Sequence, residues 1–418
     1  MNILMVSEIS LFPLVGGVQR HMWTLAKFMK KKGHEVDILT SSESETKRDE
    51  DLGGIRIFWT LKQGRSFLGY NQFGWIYDSY DFMKQINTYG KKYDIIHYHG
   101  GGYYFFEQLK LDVPLVSTLH GIYPACSKES FLFDSCQSPT PTKCTLCYVA
   151  NRPNYALLSP AIVTFCILHH RLMKKGLQKM QKVICVSDYV KRSVERTLNL
   201  RNLVTIHNFI DVQDDIKPNL ALLKNFDARK VLNIPVDCRL ITYFGRLSHE
   251  KGSDILIKAF NEVLGTLGQG VYLIIGGTGP EKHRIEEMTK RMRNVKIVGH
   301  LPRSEQLGLM AQSDVFVSPS RFADACPTTL IEAAFLGLPV VATQVGGSPE
   351  IVADEENGLL VEPQNPHALA NGLIKLLSNE TLLSKCSRNG PRKARDFDIS
   401  MIGPRILNLY KAVLASSH

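Results

Sequence analysis

The sequence lacks a hydrophobic run long enough to cross a membrane. A spanning helix needs about 20 consecutive apolar residues, whereas the nearest candidate, residues 155–168, is shorter and contains Pro160. We therefore expect residues 155–168 to form buried or interfacial structure. The N-terminal sequence MNILMVSEIS also lacks the basic stretch and small-residue cleavage site of a signal peptide. These absences predict a cytoplasmic protein.

The signatures of two nucleotide-binding classes are also missing. The first predicted strand–helix loop, SLFPLVGGVQ, has no G-x-G-x-x-G, which argues against a dehydrogenase. No basic and aromatic recognition element accompanies the net charge of +10, so we expect no nucleic-acid partner. Residues 1–213 carry 26 Lys and Arg against 18 Asp and Glu, and the remainder 24 against 22. Scattered lysines such as Lys30, Lys31 and Lys32 are explained best by solvation, and an anionic membrane surface at the inner membrane face is a hypothesis for a partner of the N-terminal half.

A chain of 418 residues exceeds the usual size of a single hydrophobic core, so two domains are expected. Short apolar runs alternate with helical periodicity along the sequence, which predicts α/β domains with parallel sheets. The predicted strands are 2–6, 35–39, 93–97, 114–119, 182–186, 204–206, 239–244, 271–275, 295–298, 315–318 and 339–342. We predict Rossmann-like domains at 1–213 and 214–397, with a polar linker at 211–225 and a helix in 398–418 that packs back on the first domain. Two such sheets facing one another would form a cleft.

Two segments carry residues suited to binding phosphate. Gly16 and Gly17 separate the first strand from its helix, whose free amides attract anions. In FGRLSHEKG, the strand ends at Gly245, and the cations Arg246 and Lys251 follow within a turn-rich loop. Two converging cations suit a diphosphate leaving group, although a solvated surface loop fits the spacing of these residues equally well.

A third segment, FADACPTTLIEAAFL, places acids around a helix start. Pro327 begins the helix, so the amides of Thr328, Thr329 and Leu330 are available to a phosphate. Glu332 follows one turn later, where a carboxylate can accept hydrogen bonds from a ribose diol. Asp324 precedes the helix. It could face sugar hydroxyls, or it could be a helix-capping residue.

Together these motifs resemble the retaining glycosyltransferase family 4, whose members have the GT-B fold. The resemblance also includes His120-Gly121, VSDYVKR, GGTGPE and VGGSPEIV, and it extends over nearly the whole chain. It implies that Glu332 holds the ribose of a nucleotide-sugar, that Arg246 and Lys251 hold its diphosphate, and that Asp324 contacts the transferred sugar. Thr328, Thr329 and Leu330 would add backbone contacts.

The chain departs from the family pattern at two positions. Asp324 stands where the family usually has Glu, which puts the donor preference in doubt. Phe209 follows Asn208 where a Gly is common, and Phe adopts positive φ less readily, so Asn208 is a weak site candidate. His120 is implied to lie near the reacting centre, and His97 and His99 to border the acceptor pocket.

The cysteines raise a separate question. Four of the nine cluster in a predicted insertion, residues 123–150, as Cys126, Cys136, Cys144 and Cys147. The C-x-x-C pair and the absent signal peptide favour a structural zinc site over disulfides, with free thiols as the alternative. We expect no metal cofactor to be required for catalysis.

The sequence thus predicts a retaining glycosyltransferase that moves a sugar from a UDP- or GDP-sugar to a glycan or lipid-linked acceptor. The expected chemistry is front-face substitution through an oxocarbenium-like transition state. Two alternatives remain at this stage: a nucleotide-sugar epimerase or hydrolase of the same architecture, and a basic nucleic-acid-binding protein.

Overall fold

A computed structural model describes residues 1–14, 16–42, 49–62, 72–126, 143–144, 146–147, 159–223 and 226–416. The chain forms two compact units. Unit 1 comprises Met1–His207 and Ile402–His418, and unit 2 comprises Asn208–Met401. The corresponding boundaries predicted from the sequence lie after residues 213 and 397.

Unit 1 is built on a sheet with the strand order β3-β4-β2-β1-β5-β6-β7-β8 in the described part of the chain. All neighbouring strands are parallel except β3 and β4, which are antiparallel. The strands are β1 (Asn2–Ser7), β2 (Glu35–Ser42), β3 (Glu50–Asp51), β4 (Arg56–Lys62), β5 (Ile95–Tyr98), β6 (Leu115–Leu119), β7 (Lys182–Cys185) and β8 (Leu203–Thr205). Its helices are α1 (Gly17–Lys31), α2 (Gln72–Tyr89), α3 (Ser159–Gln178), α4 (Asp188–Leu198) and the C-terminal helix, Ile399–Ala415, which begins in unit 2.

Unit 2 has a fully parallel sheet with the order β11-β10-β9-β12-β13-β14. Its strands are β9 (Arg239–Phe244), β10 (Val271–Gly276), β11 (Val295–Gly299), β12 (Val315–Ser318), β13 (Val340–Thr343) and β14 (Gly358–Val361). Its helices are α5 (Lys217–Ala221), α6 (Ala228–Leu232), α7 (Ser253–Leu267), α8 (Lys282–Thr289), α9 (Arg303–Ala311), α10 (Thr328–Phe335), α11 (Ser348–Ile351), α12 (Pro366–Ser378) and α13 (Glu380–Ala394). The C-terminal helix is α14 (Ile399–Ala415).

The central strands are buried along almost their whole length, as parallel strands covered on both faces should be. Residues 3–6 of β1 and 340–342 of β13 have no exposed surface. Helix α14 adds a buried Tyr410 and a nearly buried Ile406 to unit 1. Its Gly403 lies so close to the ring of Phe28 that an added Cβ would be 2.5 Å from that ring. The C-terminal helix is therefore part of the packed interior of unit 1.

Two Rossmann-like α/β units confirm the predicted fold class. The strands predicted from apolar runs are present within three residues of their predicted ends, whereas β3, β4 and β14 were not predicted. The stretch predicted as a linker, 211–225, instead contains a helical turn at Val212–Ile216 followed by α5. None of the helices in the described residues is long and apolar enough to cross a membrane.

Candidate nucleotide-sugar site

Two ion pairs in unit 2 hold the cations predicted to bind a diphosphate. The loop after β9 carries Arg246 and Lys251. Lys251 Nζ forms a salt bridge with the carboxylate of Asp324, and both side chains are largely buried. Arg246, which is exposed, pairs with Glu250. The structure thus brings Lys251 and Asp324 into contact, a pairing that was not predicted from the sequence, and it gives each cation an acidic partner.

The charge of Glu250 is stabilised by its neighbours. Burial alone would raise its pKa, but hydrogen bonds from Ser248 and the backbone, and the positive charge of Arg246, lower it. The hydroxyl of Ser248 donates to Glu250 Oε1 over 2.6 Å. At neutral pH the loop therefore presents alternating positive and negative charges.

Glycine at position 346 fixes the segment that carries Asp324. Gly346 has φ +59°, and an added Cβ would lie 2.1 Å from the carbonyl oxygen of Asp324. The next amide, of Gly347, donates to that same oxygen over 2.8 Å. Because two chain segments touch backbone to backbone here, Asp324 has a defined position.

Arg321 connects the Asp324 segment to the loop after β9. Its guanidinium donates two hydrogen bonds of 2.6 Å to Asp254, which is buried at the start of α7. Its amide donates to the carbonyl oxygen of Glu250, and its side chain to that of His249. Arg321, which was not predicted from the sequence, fixes the Asp324 segment against the loop that carries Lys251.

The N-terminus of α10 provides the predicted anion-binding amides. Pro327 occupies the cap position, so the amides of Thr328 and Thr329 have no intrahelical acceptor. The amide of Leu330 donates to the carbonyl of Pro327 over 3.1 Å. Of the three amides predicted from the sequence, those of Thr328 and Thr329 are therefore the ones available to a phosphate.

Glu332 is the most unusual residue of this helix because its carboxylate is buried and only half satisfied. The residue is 3% exposed. Its Oε1 accepts a hydrogen bond of 2.8 Å from Arg303 Nη2. Its Oε2 is buried and has no hydrogen-bond partner among the residues described. Buried polar oxygens are nearly always bonded in folded proteins, so Oε2 marks a place where a ligand donor is expected.

Arg303, at the start of α9, joins Glu332 to a second acid. Its Nη2 and Nε donate to Asp215 Oδ2 over 2.7 and 3.1 Å. Burial alone would lower the pKa of Arg303, but the charges of Glu332 and Asp215 raise it. Arg303 and Asp215 were missed from the sequence because no linear spacing connects positions 215, 303 and 332.

The predicted histidines of unit 1 form a cluster of rings. His99, after β5, meets His120, after β6, with 3.2 Å between Nδ1 and Nε2. His97 contacts Tyr410 through Nδ1 at 2.5 Å and Thr118 through Nε2 at 2.8 Å. His21 of α1, which was not predicted, packs edge-on against His120. Its position on the buried face of α1, one turn after Gly17, is the signal that could have found it.

Burial governs the protonation of these rings. The pKa values of His97, His99 and His120 all lie well below the usual value, first because burial disfavours the charged form and second because neighbouring histidines repel a proton. The rings are therefore neutral at pH 7, and each has one donor and one acceptor nitrogen.

Family models match both parts of the chain. Residues 15–214 match Glycosyltransferase Family 4, and residues 224–393 match Glycosyl transferases group 1. The chain belongs to glycosyltransferase family 4. This confirms the resemblance noted in the sequence and makes the protein a glycosyltransferase.

Relatives and solved structures agree with this assignment. The glycosyltransferase is 23% identical over 417 residues to phosphatidyl-myo-inositol mannosyltransferase from Mycobacterium leprae, an alignment that spans 97% of this chain and 95% of that protein. Its fold is similar to sucrose-phosphate synthase from Thermosynechococcus elongatus, with a TM-score of 0.78, 21% identity and full coverage of both chains. It is also similar to Anabaena HepE in complex with UDP-glucose, with a TM-score of 0.69, 18% identity and coverage of 99% of this chain and 100% of that one. These neighbours confirm the GT-B fold.

The remaining predicted residues of the glycosyltransferase lie in separate places. Gly16 caps α1 in unit 1, and an added Cβ at Gly17 would meet no described atom within 4 Å. In unit 2, Asn208 donates from Nδ2 to the carbonyl of Cys326 over 3.4 Å and accepts from the amide of Phe209 over 3.0 Å. Gly245 follows β9, and its amide donates to the carbonyl of Gly276 over 3.1 Å.

The zinc prediction involves a residue outside the described part of the chain. Cys136 lies in the segment 127–142, which the structure does not describe. Cys126, Cys144 and Cys147 are each partly buried. The four-cysteine zinc site therefore stays a prediction.

Proposed function

We propose that this glycosyltransferase takes a hexosyl group from a UDP- or GDP-sugar bound in unit 2 and transfers it with retention of configuration. The observation that carries the proposal is the buried Oε2 of Glu332, which has no partner among the described residues. A ribose hydroxyl would supply the missing hydrogen-bond donor. Solved structures support the donor class, because the similar Anabaena HepE forms a complex with UDP-glucose.

The diphosphate is proposed to bind beside the ribose, at the N-terminus of α10. The amides of Thr328 and Thr329 and the positive end of the helix dipole favour an anion there. Arg246 and Lys251 provide side-chain cations, which are paired with Glu250 and Asp324 in the ligand-free chain. Binding of the diphosphate exchanges these acids for phosphate oxygens and frees Asp324 to accept hydrogen bonds from the sugar hydroxyls.

Transfer then follows from charge development. The bond from the anomeric carbon to the diphosphate oxygen breaks, while the acceptor oxygen forms a new bond to the same face of that carbon. The acceptor proton passes to the departing phosphate oxygen. Arg246 and Lys251 stabilise the growing negative charge of the leaving group, and a neutral His120 accepts or donates a hydrogen bond near the reacting sugar.

We further propose a glycan or lipid-linked acceptor. The Mycobacterium leprae relative carries phosphatidyl-myo-inositol in its name. The positive charge bias of residues 1–213 also suits an acceptor with an anionic head group.

Calorimetric titration of the full chain with UDP, GDP and ADP tests the donor site. We expect UDP or GDP to bind more tightly than ADP, and Glu332→Gln to weaken that binding by about tenfold or more, because a hydrogen bond to a charged group contributes roughly 1.5–3 kcal/mol. The matched control is Glu287→Gln, an exposed acid of α8 that pairs with Lys290. Equal affinity of wild type and Glu332→Gln would contradict the assignment.

Product analysis tests the reaction. Incubation with donor and acceptor should give a glycoside with the anomeric configuration of the donor, detected by the NMR coupling of the anomeric proton. Incubation with donor alone should leave the sugar nucleotide essentially intact. An inverted product would overturn retention, and rapid formation of free sugar or an epimer from donor alone would overturn the transferase assignment.

A further inference from the structure

Three of the four clustered histidines in unit 1 converge on one point, which their hydrogen bonds alone do not require. His21 comes from α1, His99 follows β5 and His120 follows β6. Three separate elements therefore deliver imidazoles to one point. The ring nitrogens that could act as ligands all lie within 4.8 Å of one another.

The spacing of the rings matches that of a tetrahedral metal site. Zinc binds imidazole nitrogen at about 2.05 Å, so two such nitrogens lie about 3.3 Å apart and the ring centroids about 5.2 Å apart. His99 Nδ1 and His120 Nε2 are 3.2 Å apart. The centroid separations are 4.7 Å for His21 and His120, 5.4 Å for His21 and His99, and 5.5 Å for His99 and His120. These separations are close to those expected for three imidazoles bound to one ion.

The fourth histidine fixes this arrangement without joining it. Both nitrogens of His97 are engaged, one by Tyr410 and one by Thr118. Its ring centroid lies 4.0 Å from that of His99. His97 therefore packs against His99 and restricts its motion, while its own nitrogens remain occupied by hydroxyl groups.

An ion can reach the rings from the side of His120, which is only partly buried. An added Cβ at Gly121, next to His120, would meet no described atom within 4 Å, and the same holds at Gly17, one turn before His21. Space is therefore open beside two of the three segments that carry the rings. A water molecule can complete the coordination there.

We propose that His21, His99 and His120 form a site for one divalent transition-metal ion of the zinc class, with the fourth position open to water. Imidazole ligands favour zinc, copper and nickel over magnesium and calcium. The ion occupies His120, a ring that the proposed function places near the donor sugar, but the test of metal binding does not depend on that function.

Titration of the metal-free full chain with Co²⁺, followed by visible absorption and calorimetry, tests the site. We expect one equivalent of Co²⁺ bound with the visible bands of a tetrahedral nitrogen site, and displacement by Zn²⁺ but not by Mg²⁺. Thiolate ligands add an intense near-ultraviolet charge-transfer band, so ions held by Cys126, Cys144 and Cys147 are recognised separately. Absence of a nitrogen-type Co²⁺ spectrum in the wild type would overturn the proposal without any variant.

Variants then assign the ligands. His120→Ala and His99→Ala should each weaken Co²⁺ binding by more than about tenfold, because a structural or catalytic site of this kind needs at least three protein ligands. His283→Ala removes an exposed histidine of α8 and should bind like the wild type. Circular dichroism checks that each variant is folded, and His120→Ala, at the partly buried ring, decides the outcome if His99→Ala unfolds. Wild-type affinity in a folded His120→Ala chain would refute the site.

Discussion

The carboxylate of Glu332 has two oxygens in different situations. Oε1 is bound by Arg303, and Oε2 is buried without a partner among the described residues. The first oxygen fixes the orientation of the group, and the second is left for a ligand. Arg303 therefore acts on the donor indirectly, by holding the residue that we propose to contact it.

Replacement of Arg303 separates this positioning role from a purely structural one. Arg303→Ala leaves Glu332 and Asp215 without their cation, and removing one partner of a buried pair typically costs about 3–5 kcal/mol. We expect a lower free energy of unfolding and a KM for the donor raised by about tenfold or more, with a smaller change in kcat. Arg303→Lys retains the charge and should recover part of the stability but little of the donor KM, because lysine lacks the two-pronged guanidinium.

Steady-state kinetics and urea unfolding measure both effects. Arg291→Ala, which removes an exposed arginine between α8 and β11, is the matched control and should change neither quantity. An Arg303→Ala chain that folds and binds the donor with the wild-type KM would show that Glu332 is positioned by other contacts.

His169 makes the stability of unit 1 depend on pH. It is buried in α3 between Tyr104 and Tyr123, and burial, with a smaller effect of the neighbouring His170, lowers its pKa to about 3. In the unfolded chain its pKa is about 6.5. Between pH 3 and pH 6.5 the unfolded chain binds a proton at His169 that the folded chain does not. The stabilising contribution of the neutral His169 ring is therefore complete above pH 6.5 and declines as the pH falls towards 3.

A histidine replacement isolates this contribution. The measured quantity is the free energy of unfolding of the wild type minus that of His169→Gln. We expect this difference to decrease by roughly 2 kcal/mol from pH 7 to pH 5. Urea unfolding at the two pH values measures the difference. For His283→Gln, at an exposed position, the same difference should stay constant. A pH-independent difference for His169→Gln would mean that the buried ring is protonated in the folded chain.

At the scale of elements, the loop that carries Asp324 depends on one backbone approach. The segment after β13 passes Asp324 at Gly346, where no side chain fits. The helix α10 begins directly after the Asp324 loop, so the acid that we propose to contact the sugar and the amides that we propose to bind phosphate share one support. Displacing the loop should therefore affect both.

A pair of glycine replacements tests this support. Gly346 and Gly299 have nearly the same backbone conformation, with φ +59° and +67°. An added Cβ at Gly346 lies 2.1 Å from a backbone oxygen, whereas at Gly299 no described atom lies within 4 Å. Alanine at either position costs about 1–2 kcal/mol of backbone strain, but only Gly346→Ala must move Asp324. We expect its kcat/KM to fall at least about tenfold further than that of Gly299→Ala, and equal activities would contradict this explanation.

Much of the element pattern was predictable because its causes are local. Strands buried on both faces appear as short apolar runs, as in residues 239–244 and 315–318, and the helix start at Pro327 follows from its fixed φ and missing donor. Strand β14, GLLV after Asn357, is too short to stand out. Strand β4 contains Arg56, Thr60 and Lys62, which interrupt its apolar character.

The site was predictable only where a linear motif carries it. Glu332, Lys251 and Asp324 lie in recognisable segments, and the structure pairs Lys251 with Asp324. Arg303 could not be found in this way, because it lies 29 residues from Glu332 and 88 from Asp215. Tyr410 lies 313 residues from His97. Tertiary packing brings such partners together, and no periodicity in the sequence predicts these contacts.

At the scale of the whole molecule, the proposed lipid-linked acceptor predicts contact with an anionic surface through unit 1. Residues 1–213 hold most of the positive excess. On α3, Ile167 and Leu168 are 47% and 45% exposed. Apolar side chains near basic groups suit a membrane interface, where both contributions add.

Liposome flotation tests this property of the full chain. We expect binding to vesicles that contain phosphatidylglycerol and little binding to pure phosphatidylcholine, with a decline as salt rises. The double variant Ile167→Asp and Leu168→Asp should float less. Leu222→Asp, at an exposed leucine of unit 2, should float like the wild type. Equal recovery with both kinds of vesicle, or none with either, would remove the charge bias as support for a lipid-linked acceptor.

Under the proposed binding mode, the ion pairs of Lys251 with Asp324 and of Arg246 with Glu250 also limit which anions bind. An incoming anion must interact with each cation more favourably than the carboxylate that it displaces. We expect a single inorganic phosphate to compete poorly, because it lacks the reach to replace both acids at once, whereas a diphosphate ester would engage both cations and the helix amides together. The internal carboxylates would then act as competitors that make the site selective for diphosphates over free phosphate.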